Sequence, residues 1–91
     1  MPKLILKGDE ELRRLVKECL DMGDIPIVVT RFADAPLQYQ GKPAVIFRCG
    51  FEGKGVVVTV SEDTWNALDR AGLDIYEIAK VLGIPIERRK R

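Results

Sequence analysis

Histidine is absent from this chain of 91 residues, and serine and asparagine each occur only once. A serine or cysteine nucleophile usually needs an adjacent base, most often histidine, so this composition argues against nucleophilic catalysis. The carboxylate pairs Glu10–Glu11 and Glu62–Asp63 fall in the first turns of predicted helices, where the helix dipole favours negative charge in any case. We therefore expect a protein that is not an enzyme and that binds no cofactor.

Cysteine is also scarce, with only Cys19 and Cys49 present. Two distant cysteines do not make a zinc site, which needs four ligands, usually in closely spaced pairs. The favoured interpretation is that both are separate buried thiols, because free cysteine is among the most buried residue types. A disulfide between them is the alternative, which intracellular proteins of hyperthermophiles tolerate. The few amides and abundant Lys, Arg and Glu give the chain a thermophile-like composition.

Long apolar runs are missing as well. None approaches the ~20 residues needed to cross a bilayer. The apolar stretch near the N-terminus, 4–6, is far shorter than the roughly 7–15 residues of a secretory signal. Apolar residues nevertheless make up 46% of the chain, which is typical of a folded protein. We expect one domain over 1–86 with a basic C-terminal tail at 87–91, a cytoplasmic location and no membrane partner.

Hydrophobic periodicity predicts the element order β-α-β-β-β-β-α-α. Apolar residues recur at helical spacing over 10–21 and in two shorter helices within 62–82, where Ser61 and Asp74 are predicted N-caps. Segments rich in β-branched or alternating residues predict the strands. These segments are 3–7, 25–30, 37–40, 44–49 and 56–60. The fold class is α+β, a small mainly antiparallel sheet of four to five strands with one N-terminal helix and a C-terminal helical hairpin.

The glycine-rich segment 50–55, with Lys54 inside it, invites comparison with a phosphate-binding loop. Both glycine-rich phosphate motifs with a known mechanism lead into a helix, whereas this segment leads into the predicted strand at 56–60. The favoured prediction is a hairpin turn in which glycine supplies positive φ angles.

Charge is unevenly distributed although the net charge is only +1. Segment 61–86 is acidic, and the tail that follows contains four consecutive cations, Arg88 to Arg91. Such a tail can neutralise phosphates and bind nucleic acid without sequence preference. Two alternatives are a solvated terminus and a tail that pairs with the acidic segment, within one chain or across a dimer.

The sequence therefore predicts a non-catalytic, nucleic-acid-associated binding module that uses the basic tail and the hairpin tips. Its candidate residues are cations, together with two aromatic side chains on which bases could stack. They are Arg88, Arg89, Lys90, Arg91, Lys54, Lys42, Arg48, Phe51 and Tyr39. The alternative is a protein–protein interaction or homo-oligomeric module without nucleic-acid binding, with a homodimer or another protein as partner, supported by the apolar fraction and by strand edges that a small sheet must protect. A small enzyme ranks last.

Overall fold

The computed structural model describes residues 5–86, which contain three helices, a five-stranded main sheet and a separate two-stranded hairpin. The strands of the main sheet are β1 (Ile5–Lys7), β2 (Pro26–Val29), β5 (Gln38–Tyr39), β6 (Lys42–Cys49) and β7 (Val56–Thr59). The short hairpin consists of β3 (Arg31–Phe32) and β4 (Ala35–Pro36). The helix layer consists of α1 (Asp9–Asp21), α2 (Glu62–Ala71) and α3 (Ile75–Val81). The first residues of the predicted N-terminal strand and the whole predicted tail lie outside the described residues.

The main sheet has the order β1-β7-β6-β2, with β5 alongside the start of β6. β6 is antiparallel to β7, β2 and β5, so Val45 lies opposite Val58 and Phe47 lies opposite Val28. These pairings confirm an α+β fold with a mainly antiparallel sheet. The sheet is nevertheless mixed, because β1 runs parallel to β7 and places Leu6 beside Val58. Two parallel strands cannot be joined by a tight turn. Here the chain forms α1 and the strands β2 to β6 before β7 pairs with β1.

The short hairpin was not predicted, because its residues fall between the predicted strands at 25–30 and 37–40. The chain leaves the main sheet after β2, forms β3 and β4, and returns as β5, where the Leu37 N–H donates to the Thr30 carbonyl at 2.9 Å. The hairpin is held against α2 by Arg31, whose guanidinium donates to the Asp69 carboxylate and lies 5.3 Å from the centre of the Trp65 ring. Strands of two residues are too short for alternation to reveal them in a sequence.

The helix layer packs on one face of the main sheet. With the exception of Ala44, the buried apolar strand residues belong to one alternating row on each strand. That row contains Leu6, Val28, Val45, Phe47, Cys49, Val56 and Val58. From the helices, the fully buried Leu12, Leu68 and Ile78 pack against it. The core therefore lies between the sheet and the helices.

A disulfide joins Cys19 of α1 to Cys49 of β6, with the two Cα atoms 5.6 Å apart. The prediction of two separate buried thiols is therefore wrong. Cys19 belongs to the buried stripe of α1, and Cys49 is the last residue in the helix-facing row of β6. Packing of α1 on the sheet brings the two side chains together, which sequence separation alone could not show.

The helix starts agree with the predicted caps in α2 and α3. The Ser61 hydroxyl accepts a hydrogen bond from the Thr64 N–H at 3.3 Å, and the Asp74 carboxylate accepts from the N–H groups of Tyr76 and Glu77. α1 differs, because its N-cap is Gly8, which has no side chain to accept a hydrogen bond. Asp9, the first residue of α1, instead accepts hydrogen bonds from residues at the start of α2.

Candidate nucleic-acid interface

The main sheet has a second face, directed away from the helix layer. Side chains alternate along a strand, so the β6 residues between Val45, Phe47 and Cys49 point to this opposite side. Cross-strand partners extend the same row onto the neighbouring strands. We call this surface the outer face; it comprises Lys7, Ile27, Val29, Tyr39, Lys42, Ala44, Ile46, Arg48, Val57 and Thr59.

The centre of the outer face is aliphatic. Ile27, Val29, Ile46 and Val57 occupy adjacent positions in the register and are half-buried. None of these four side chains belongs to the core that packs against the helices. Branched side chains of this kind cover a pleated surface well. The outer face therefore offers an apolar strip that is still partly accessible, while Ala44 and Thr59 on the same face are buried.

The main sheet differs from the helices in its charged side chains, because its strands carry cations and no carboxylates. Its strands carry Lys7, Lys42 and Arg48 and no acidic residue. The helix layer carries nine carboxylates against five cations. Those carboxylates belong to Asp9, Glu10, Glu11, Glu18, Asp21, Glu62, Asp63, Asp69 and Glu77. Positive charge is thus concentrated on the strands of the main sheet and negative charge on the helices, whereas the loops carry charges of both signs, including Asp24 and Glu52 near the end of β6.

Two of these cations flank a concave site at one end of the outer face. We call it the lysine hollow; it has a volume of about 310 Å³ and is lined by Lys7, Gly8, Lys42, Thr59 and Val60. Lys7 lies beside Thr59 on one flank, and Lys42 lies two residues before the Ala44 that pairs with Thr59 on the other. Strand spacing and rise place the two lysine Cα atoms roughly 12 Å apart. Both side chains are exposed, so both ammonium groups can approach one anionic group in the hollow.

The predicted site residues separate into two groups at opposite ends of β6. Tyr39 and Lys42 pair with each other at the start of the strand. Arg48, Phe51 and Lys54 lie at its other end, roughly 20 Å away along the strand. The structure therefore does not join the two hairpin ends into one cluster. The predicted tail cations, Arg88 to Arg91, lie outside the described residues.

Arg48 also has a structural role that the sequence did not predict. Its guanidinium donates to the Gly53 carbonyl at 3.0 Å and to the Phe51 carbonyl, so it closes the loop between β6 and β7. Phe51 is 75% exposed in this loop, and Lys54 is also exposed. Arg48 contributes its charge to the outer face while its donors order the loop.

Lys7 is the outer-face residue that sequence reasoning missed. It lines the lysine hollow only because β1 pairs with β7, a pairing between segments some fifty residues apart in the chain. One signal was readable in the sequence, since the acidic residues all fall outside the five strand segments of the main sheet. That signal marks the sheet as the cationic side but does not specify which face is exposed.

Other kinds of site find less support in the structure. Residues 5–86 include no group of three or more His, Cys, Asp or Glu side chains placed to hold a metal ion. Among the helices of that same range, none has the length and apolar character to cross a membrane. The chain matches no protein-family model, no curated protein and no solved structure with which it was compared. The functional proposal rests on the outer face described above.

Proposed function

We propose that this protein is a non-catalytic nucleic-acid-binding module whose outer face, together with the basic tail, contacts backbone phosphates. The observation that carries the proposal is the concentration of Lys7, Lys42 and Arg48 on a sheet without carboxylates, opposite an acidic helix layer. Lysine and arginine that neutralise phosphates release condensed counterions, which supplies most of the affinity in sequence-independent binding. A net charge of +1 would not produce such binding, whereas a segregated charge can.

The same charges disfavour a second copy of the chain as the partner of the outer face. Packing two outer faces together would bring the three cations of one copy close to those of the other, and juxtaposed like charges are costly. Sheet extension along the β2 edge is also hindered, because this strand begins with Pro26, which has no N–H to donate. A partner that supplies negative charge suits this surface better.

The test is a fluorescence-anisotropy titration of labelled oligonucleotides with the full chain over a range of salt concentrations. The double variant Lys7→Gln/Lys42→Gln is compared with Lys17→Gln/Lys80→Gln, which removes the same charge from the helix layer. We expect the first variant to bind more weakly. Its plot of log K against log salt should lose about 1.4–1.8 units of slope, the value for two phosphate contacts. The proposal for the outer face is wrong if both variants behave alike or if the unmodified chain does not bind at low salt.

The tail is tested separately with Arg88, Arg89, Lys90 and Arg91 all replaced by glutamine in the full-length chain. If the tail contacts phosphates, this variant should lose affinity and salt dependence independently of the lysine pair. The two sets of changes should then be roughly additive in free energy, because they remove different contacts. If only the tail variant loses affinity, binding belongs to the tail and not to the outer face.

A protein–protein module is the second candidate, and one observation favours it. Met22, Ile25 and Phe51 are 71%, 47% and 75% exposed. They lie in two adjacent loops that are joined by a hydrogen bond of 2.8 Å from the Gly50 N–H to the Ile25 carbonyl. Apolar association there should persist at high salt, unlike phosphate binding. Light scattering after size-exclusion chromatography at high salt measures self-association of the full chain and of Met22→Ser/Phe51→Ser. If these loops form an interface between copies, the full chain should self-associate at high salt and the double variant should not.

A further inference from the structure

We infer that the ligand of the outer face is a single-stranded nucleic acid that lies along β6, with one base stacked on Tyr39 and a phosphate at the lysine hollow. This inference rests on the proposed function and adds to it the kind of nucleic acid and the way it lies on the sheet.

The apolar centre of the outer face is the first argument. Ile46 and Val57 lie between the lysine hollow and Arg48, so a ligand that contacts the cations at both ends must cross aliphatic side chains. A duplex hides the faces of its bases and presents phosphates and sugars to a flat surface. A single strand can turn its unpaired bases toward the protein and match apolar surface between its phosphates.

The position of Tyr39 is the second argument. It pairs with Lys42 across β5 and β6, so the two side chains stand next to each other on the outer face. Tyr39 is half-buried and Lys42 is exposed. A base stacked on the Tyr39 ring would therefore have its phosphate within reach of Lys42, and Lys42 also lines the lysine hollow.

The length of β6 sets the size of the site. Its two cations, Lys42 and Arg48, are six residues apart, which corresponds to roughly 20 Å of strand. This span leaves room for a few nucleotides, close to the lower end of the roughly 4–16 nucleotides that one single-strand-binding domain covers. Short oligonucleotides should therefore be sufficient to occupy the face.

The experiment compares a short oligonucleotide with its duplex form, in DNA and RNA versions, using anisotropy with the full chain. Variants are Tyr39→Ala, Tyr39→Phe and, as the matched control, Phe32→Ala, which removes a 76% exposed aromatic ring from the short hairpin. We expect the single strand to bind more tightly than the duplex. Tyr39→Ala should weaken binding about 5- to 150-fold, as for loss of one stacked base. Tyr39→Phe and Phe32→Ala should bind like the unmodified chain, and circular dichroism checks that each variant is folded.

Three results would overturn this inference and leave the proposed function standing. One is a duplex that binds as tightly as the single strand with the same sensitivity to the lysine variants. Another is a Tyr39→Ala variant that binds like Phe32→Ala. If inorganic tripolyphosphate, which has no bases, competes as well per charge as the oligonucleotide, stacking is excluded in the same way. Absence of binding to every oligonucleotide at low salt would instead remove the proposed function itself.

Discussion

Asp9 shows how one side chain can serve a purpose that its position in the sequence does not reveal. A carboxylate at the start of a helix is expected to interact with its own helix. Asp9 instead accepts hydrogen bonds from the Ser61 N–H, the Ser61 hydroxyl and the Thr64 hydroxyl at 2.9, 2.9 and 2.7 Å. It therefore ties the start of α1 to the start of α2. The caps at Ser61 and Asp74 were predictable because they act within three residues, whereas this contact spans more than fifty.

These hydrogen bonds make stability depend on acidity. Partial burial raises the pKa of Asp9, but the hydrogen bonds from Thr64 and Ser61 outweigh it, so the pKa lies below its usual value of 3.8. A carboxyl group with a lower pKa in the folded state stabilises the fold above its unfolded pKa. That contribution is lost as the pH falls through the lowered value. Acidification below pH 3.8 should therefore weaken the link between α1 and α2.

The corresponding prediction concerns Asp9→Asn. At neutral pH this variant should be less stable by about 1 kcal/mol, a modest value because the carboxylate is partly exposed to solvent. Its stability should also fall less than that of the unmodified chain as the pH drops below 3.8. Thermal denaturation followed by circular dichroism at several pH values measures both effects. Glu10→Gln, which removes an exposed carboxylate from the same turn, is the control; equal effects from the two variants would contradict this role for Asp9.

At the scale of elements, β6 organises both the fold and the outer face. Its helix-facing row enters the core and ends in the disulfide, and its other row supplies Lys42, Ile46 and Arg48. The antiparallel pairing of β6 with β7 was predictable, because the strongly β-branched segment 56–60 follows the predicted strand 44–49 after a glycine-rich turn. The parallel pairing of β1 was not, since nothing local connects β1 with β7. That pairing is also the reason why Lys7 was absent from the predicted site.

The disulfide links two elements that would otherwise be held by packing alone, α1 and β6. Closing a loop of this length, between cysteines 30 residues apart, removes conformational entropy from the unfolded chain. We expect the double variant Cys19→Ala/Cys49→Ala to lose about 3 kcal/mol of unfolding free energy. Urea denaturation with and without reductant measures this loss. Reductant should destabilise the unmodified chain and leave the variant unchanged; a chain indifferent to reductant would argue against a disulfide in solution.

At the scale of the whole molecule, we expect backbone amides in the middle of the main sheet to be the most strongly protected from hydrogen exchange. This protection should decrease toward the edges of the sheet. β6 has hydrogen-bonded neighbours on both sides, β7 on one and β2 with β5 on the other. The short hairpin has two residues in each strand, and all four are exposed. Local opening is easiest where few apolar contacts are lost.

Hydrogen exchange measured by mass spectrometry or NMR tests this gradient. Amides of β6 and β7 should exchange most slowly, and those of 31–36 should exchange fastest among the strands. Arg31→Ala, which removes the contacts of the hairpin with Asp69 and Trp65, should accelerate exchange in 31–36 without affecting β6. If the short hairpin were protected as strongly as β6, it would have to be part of the main cooperative unit.

The separation of cations on the sheet from excess carboxylates on the helices has one more consequence. We expect the opposite charges of the strands and the helices to give the described part of the molecule an electric dipole moment directed from the helices to the sheet. In the electric field of a polyanion such a molecule is expected to rotate before the two make contact. Most encounters would then begin with the outer face of the sheet turned toward the polyanion. Orientation of this kind raises the association rate rather than the lifetime of the complex, and it weakens as salt shortens the range of the field.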